Sequence, residues 1–138
     1  MIKEITPPQA WEILQADRSS TLLDVRSTIE FEYVGHPLDA LHIPWKEAPD
    51  WQVTADFVDK VRTALQKKLG LTRPVEELPI LAICRSGARS LSAAELLERE
   101  GFQQLYNVIE GFEGDRDNNN HRNTINGWRF HGLPWQQS

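Results

Sequence analysis

Cys84 ends the apolar run Ile80-Leu81-Ala82-Ile83 and is followed at once by Arg85-Ser86-Gly87-Ala88-Arg89-Ser90. It is the only cysteine of the chain, so no intramolecular disulfide is open to it, and its thiol is free for packing or chemistry. An isolated cysteine after an apolar run commonly just packs, because free cysteine is among the most buried residue types. The six residues that follow point elsewhere. Gly87, with the small Ser86 and Ala88, lets the chain curl tightly, so that successive backbone N–H groups can face one concavity and hold an anion. Arg85 and Arg89 add positive charge, and an ion pair at ~4 Å is worth about 4 kcal/mol at an effective dielectric near 20. The net charge of -5 is spread over a surface where screening acts beyond ~8 Å. The local field therefore favours thiolate over thiol and holds an anion against it, the two needs of a sulfur nucleophile.

Such a loop needs a strand to deliver Cys84 and a helix to receive the chain after Gly87. Short β-rich runs alternate with longer amphipathic segments, the pattern of βαβ units around a parallel sheet. TLLDV (21–25), PILAIC (79–84) and QLYNVI (104–109) read as strands, and LHIPW (41–45) as a short one. Thr6 before two prolines reads as a helix start. Residues 54–69 place Val58, Val61, Leu65 and Leu69 on one stripe, with Gly70 as C-cap, and a second helix runs from Ala88 to Glu100 before Gly101. In open α/β sheets ligands bind outside the carboxyl ends of the strands, where Cys84 stands. The chain has 138 residues, 40% apolar and 25% charged, which suits one globular domain. Its basic residues are dispersed and its balance is acidic, which disfavours nucleic acid and anionic membranes as partners. No uninterrupted apolar stretch reads as a signal peptide or membrane span, so a cytoplasmic location is expected.

CRSGARS resembles the active-site loop of the rhodanese superfamily of sulfurtransferases. LLDVRSTIEFEYVGHPLDALHIPW resembles that family's first signature through Asp24, Arg26, Glu30, Gly35, His36, Ile43 and Pro44, and NVIEGFEG with NGWRFHGLPW resembles its closing glycine-rich turn and Trp-containing tail. The resemblance spans about residues 5–135. It implies an α/β fold: a single rhodanese-like domain over 1–138, with a parallel five-stranded sheet flanked by helices on both faces. The core would cover about 5–113, followed by a polar insertion at 115–126 and a tail at 127–138. Related phosphatases and arsenate reductases carry five residues between cysteine and arginine; here four separate Cys84 from Arg89, as in the sulfurtransferases. The implied activity is transfer of a sulfane sulfur from a small anionic donor such as thiosulfate to a thiol, cyanide or a protein acceptor. It would run through a Cys84 persulfide by double displacement, stabilised by amides from Arg85 to Ser90 and requiring no metal or organic cofactor. The alternative is a persulfide-carrier or protein-binding module with little turnover on free thiosulfate.

Asp24, Arg26 and Glu30 are expected to brace the site rather than react, and Arg26 and Glu30, four apart, can pair if a helical turn follows the strand. His36 reads as a hydrogen-bonding anchor. His121 and His131, with Asp115 and Asp117 nearby, match no metal-ligand spacing, so a solvated polar loop is expected there. The five tryptophans, Trp11, Trp45, Trp51, Trp128 and Trp135, are expected to pack in the core and tail. The insertion DRDNNNHRNTIN has one apolar residue, Ile125; its backbone must be solvated or tied by its own Asn and Asp side chains, near the active-site end.

Overall fold

The computed structural model describes residues 1–70 and 73–137. In chain order the elements are β1 (Ile2–Ile5), α1 (Pro7–Ala16), β2 (Thr21–Asp24), a single π-helical turn (Glu30–Val34), β3 (His36–Pro37), β4 (Leu41–His42), β5 (Lys46–Glu47), β6 (Gln52–Val53), α2 (Phe57–Leu69), a 3-10 turn (Val75–Glu77), β7 (Pro79–Ile83), α3 (Ala88–Arg99), β8 (Gln104–Val108) and β9 (Trp135–Gln136). Five strands form one parallel sheet in the order β1-β8-β7-β2-β4. Two antiparallel ribbons, β3 with β9 and β5 with β6, lie outside it.

The period-2 alternation of side chains divides the core between the faces of this sheet. Leu23, Val25, Ile80 and Leu105 pack with Phe57, Val61 and Leu65 of α2 and with Ala93 and Leu97 of α3. Leu22, Leu81, Ile83 and Val108 pack on the other face with Ala10 of α1 and with Phe112 and Trp128. Every residue of β7 is buried, which explains why it is a continuous apolar run rather than an alternating one.

The helix boundaries follow local chemistry. Thr6 caps α1 in a reciprocal capping box with Gln9, and two prolines fill its first turn. Gly70 ends α2 in the left-handed region, its N–H donating to the Gln66 carbonyl. The helix begins at Phe57 rather than at 54, and Phe57 takes a fully buried place on the stripe while Val58 is only half-buried. LHIPW forms ladder geometry at Leu41–His42 alone, although the amides of Ile43 and Trp45 still donate to the carbonyls of Asp24 and Val25. β1 was not expected from the sequence: Lys3 and Glu4 are exposed, so this edge strand lacks an apolar signature. Among the described residues no helix is long and apolar enough to cross a membrane.

Candidate active site

Because all five strands are parallel, the residues ending β2, β7 and β8 share one edge of the sheet. Cys84 lies one residue beyond β7, and the chain turns through Arg85-Ser86-Gly87 into α3. The carbonyls of this loop are taken by a second turn: Phe112 N–H donates to Cys84 O at 2.8 Å, and the amides of Glu113 and Gly114 donate to Arg85 O at 3.1 and 3.2 Å. Two glycines make the approach possible. A Cβ on Gly111, φ +68°, would sit 2.4 Å from Arg85 O, and one on Gly87, φ +113°, would sit 2.6 Å from Ile109 O. With its carbonyls so held, the loop keeps its donors: among the described residues no backbone or side-chain acceptor is bonded to the amides of Ala88, Arg89 or Ser90. These are first-turn amides of α3, which point back along the helix axis toward Cys84, at the positive end of the helix dipole. Among the described residues no side chain caps this helix.

Cys84 is 2% exposed and touches the apolar core below the loop. Its Sγ accepts the Gly87 N–H at 3.1 Å and lies 3.3 Å from Ser90 Oγ. Ser90 donates in turn to Asn107 Oδ1 at 2.5 Å, and Asn107 Nδ2 donates to Gly87 O at 3.1 Å. Ser90 and Asn107 are both buried. Asn107 is absent from the expected site; the available signal was a strand-depleted Asn two residues from Leu105, hence on the same sheet face as the buried side of α3.

The charged residues are paired differently from expectation. Arg26 does not reach Glu30. Its Nε and Nη2 donate to the Asp24 carboxylate at 2.7 to 3.2 Å and Nη2 also donates to Gly35 O at 2.7 Å. The guanidinium lies 4.4 Å from the Phe112 ring centre, with both side chains of the ion pair fully buried. Glu30 instead receives Arg89 in a two-pronged pair, Nη1 to Oε1 at 2.7 Å and Nη2 to Oε2 at 2.9 Å. The reason is geometric: Arg26 lies close to the end of β2, where its side chain is buried against Asp24, while the turn after Ser27 presents Glu30 outward to α3. Burial would push the Glu30 carboxyl up, but the Arg89 guanidinium and the Ser27 hydroxyl and amide outweigh it and hold it at about 2. The hydrogen bonds that Arg89 donates to Glu30 likewise raise Arg89 against desolvation, with the charges of Glu30, Cys84 and Asp24 adding to them. Arg89 is therefore a neutralised, fixed cation beside the cysteine, whereas Arg85 is exposed at the mouth of the loop. The turn before Glu30 is itself strapped to the β5–β6 ribbon, Thr28 donating through its amide (2.9 Å) and its hydroxyl to the Glu47 carboxylate.

The insertion is tied by its own polar side chains. Asp117 accepts from the amides of Asn119 and His121 and from the Thr124 hydroxyl, and Asp115 and Asn126 bond reciprocally across the loop base. Arg122 donates to Gly114 O at 2.6 Å, and Gly114 N–H donates to Arg85 O, so the insertion leans on the turn that supports the active-site loop. Ile125 is exposed. His131 bonds Glu110 rather than His121, and among the described residues no group of His, Cys, Asp or Glu is placed to hold a metal ion. His36 anchors the chain through Nδ1 to Phe31 O at 2.8 Å. Trp128 is fully buried and packs edge-on to Trp11, and Trp135, though 42% exposed in β9, packs in the tail edge-on to Phe112 and against Gly35; Trp51, 48% exposed on the β5–β6 ribbon, departs from the expected packing. An open groove of about 580 Å3 along α2, lined in part by His42, Pro44 and Lys67, does not include Cys84.

Comparison with known proteins agrees with this geometry. The rhodanese-like domain family model matches residues 6–117. The thiosulfate sulfurtransferase GlpE of Actinobacillus pleuropneumoniae is 32% identical over 95% of this chain and 90% of its own. Its counterpart from Haemophilus influenzae is 30% identical over 81% and 86%. The crystal structure of Rv0390 from M. tuberculosis superposes with a TM-score of 0.82 at 35% identity, covering 99% of this chain and 98% of that one. With its parallel sheet, strand-end cysteine and matched sequence, the chain belongs to the rhodanese-like domain family.

Proposed function

We propose that the protein is a sulfurtransferase in which Cys84 carries a sulfane sulfur between an anionic donor and a thiophilic acceptor. The observation that carries this reading is the cysteine sulfur lying before the first turn of α3, whose amides have no acceptor among the described residues. In the first step the Cys84 thiolate attacks the outer sulfur of the donor. The Sγ–S bond forms, the donor's own S–S bond breaks, and with thiosulfate its electron pair leaves on sulfite. The persulfide charge then resides on the outer sulfur, where the amides of Ala88, Arg89 and Ser90 stabilise it. In the second step cyanide, a thiol or a protein acceptor attacks that sulfur and the Cys84 thiolate is released. Because Cys84 is 2% exposed, the donor has to be narrow at its sulfur end, as thiosulfate is. Exposed Arg85 is placed to meet the donor's charge, while Asp24 with Arg26 and Glu30 with Arg89 hold the loop's surroundings. The GlpE relatives carry the name of this reaction, and the four-residue spacing from Cys84 to Arg89 suits a single sulfur better than a tetrahedral oxyanion.

Intact-protein mass spectrometry after incubation with thiosulfate tests the proposal. The expected result is a gain of one sulfur mass, removed by cyanide and absent in Cys84→Ser, which stays folded. Cyanolysis retained by Cys84→Ser would overturn the mechanism. Loading without turnover on small acceptors would assign the chain to the carrier reading instead.

A further inference from the structure

Ser90 has one hydroxyl proton and two buried neighbours able to accept it, Asn107 Oδ1 at 2.5 Å and Cys84 Sγ at 3.3 Å. The orientation of the Asn107 amide is set independently, because its Nδ2 faces the Gly87 carbonyl, which can only accept. Oδ1 therefore faces Ser90 and takes the proton, leaving an oxygen lone pair toward Sγ. That arrangement suits a Cys84 thiol, whose S–H completes a chain from sulfur to Ser90 to Asn107. It also suits a persulfide, whose Sγ is uncharged and whose charge sits on the outer sulfur. It does not suit the free thiolate: either the Ser90 lone pair faces a negative sulfur, or the hydroxyl turns to Sγ and strands Asn107 Oδ1 in a buried site, at the cost of an unmade hydrogen bond.

The geometry points to Asn107 as a positioning residue that, by holding the Ser90 hydroxyl proton, withholds from the free Cys84 thiolate one hydrogen bond that neither the thiol nor the persulfide needs, while the Gly87 N–H still donates to Sγ. This inference rests on the sulfurtransferase reading for its consequence, but not for its test. In the loading step the thiol proton leaves to solvent, the Sγ–S bond forms and the donor's S–S bond breaks. The product regains the Ser90–Asn107 bond that the thiolate had to compete for. The charge that acts on Cys84 is that of Arg89, held by Glu30; Asp24, held by Arg26, acts on Arg89, and Arg85 is exposed. None of them contacts Asn107, and all remain when it is replaced.

The experiment is the rate of Cys84 alkylation by iodoacetamide across pH, a reaction that requires no sulfur transfer and so tests the relay whether or not a persulfide forms. Asn107→Leu removes the acceptor and frees the Ser90 proton for sulfur. It is expected to react several-fold faster than wild type at neutral pH, with its profile moved to lower pH. In the Ser90→Ala background the same substitution should have no effect, since no hydroxyl remains to be released. Should Asn107→Leu fail to fold, Asn107→Asp retains an acceptor of greater strength; its profile is expected to move to higher pH, and to move less in the Ser90→Ala background, where only the direct charge acts on Cys84. The inference is overturned if Asn107→Leu leaves the profile in place, if its shift persists without the Ser90 hydroxyl, or if the Asn107→Asp shift is absent, reversed, or the same with and without that hydroxyl. A thiosulfate-loading defect in Cys84→Ser alone bears on the sulfurtransferase reading and leaves this test untouched.

Discussion

Replacing Glu30 by Gln removes the negative charge that faces Arg89 while keeping the side chain's size. In the folded protein the Glu30 carboxyl is held at about 2 against an ordinary 4.5. Burial acts in the opposite sense and is overcome by the Arg89 hydrogen bonds and charge and by Ser27. At about 1.4 kcal/mol per decade, this displacement corresponds to about 3 kcal/mol of stability at neutral pH. The two side chains are 20 and 24% exposed, and solvent screening reduces the figure to about 2 kcal/mol. The folded-state value lies below the unfolded one, so this stability is fully present above pH ~4.5 and is lost as pH falls toward ~2. Urea unfolding followed by tryptophan fluorescence over that range should show wild type more stable than Glu30→Gln by about 2 kcal/mol near neutrality, with the gap closing on acidification. Other carboxylates held low, such as Asp17, Glu47 and Glu76, titrate in both proteins and cancel in the difference. A gap that stays constant with pH, or no gap at neutrality, would refute the account of the Glu30–Arg89 pair.

Gly111→Ala should cost about 2 to 4 kcal/mol and slow Cys84 alkylation, because its Cβ would lie 2.4 Å from Arg85 O and displace the active-site loop. Gly132→Ala, at φ +72° with open space around it, should cost only about 1 kcal/mol, and equal losses in thermal melts of the two would remove the packing argument. Replacing Asp115 to Asn126 by a short glycine-serine turn should leave Cys84 persulfide formation from thiosulfate largely intact, since the insertion's hydrogen bonds reach the loop indirectly, through Glu113 and Gly114. Stopped-flow turnover should then change with a protein acceptor and not with cyanide; an equal effect on both would make the insertion a structural brace.

The parts of this protein decided by local chemistry were legible in the sequence. β7 is apolar throughout because both its faces are covered, the capping box and prolines mark the start of α1, and Gly70 and Gly101 mark helix ends through conformations that other residues rarely adopt. The proposed nucleophile was legible for a similar reason: a cysteine between an apolar strand and a run of small and basic residues has its loop, its helix and its position on the sheet edge encoded in consecutive positions. Pairings between segments distant in sequence were not. Helical spacing suggested Arg26 with Glu30, yet the carboxylate found Arg89, 59 residues away, because the turn after β2 faces α3, while Arg26 was buried against Asp24. Asn107 looked like one polar residue in a strand until the sheet register set it under Gly87 and Ser90. β1 carried no apolar pattern of its own and is a strand only because β8 offers it a ladder to complete. Periodicity and turn chemistry act over a few residues and can be read along the chain, whereas a hydrogen-bond partner across the sheet depends on register and on which face each element presents, and these exist only once the chain has packed.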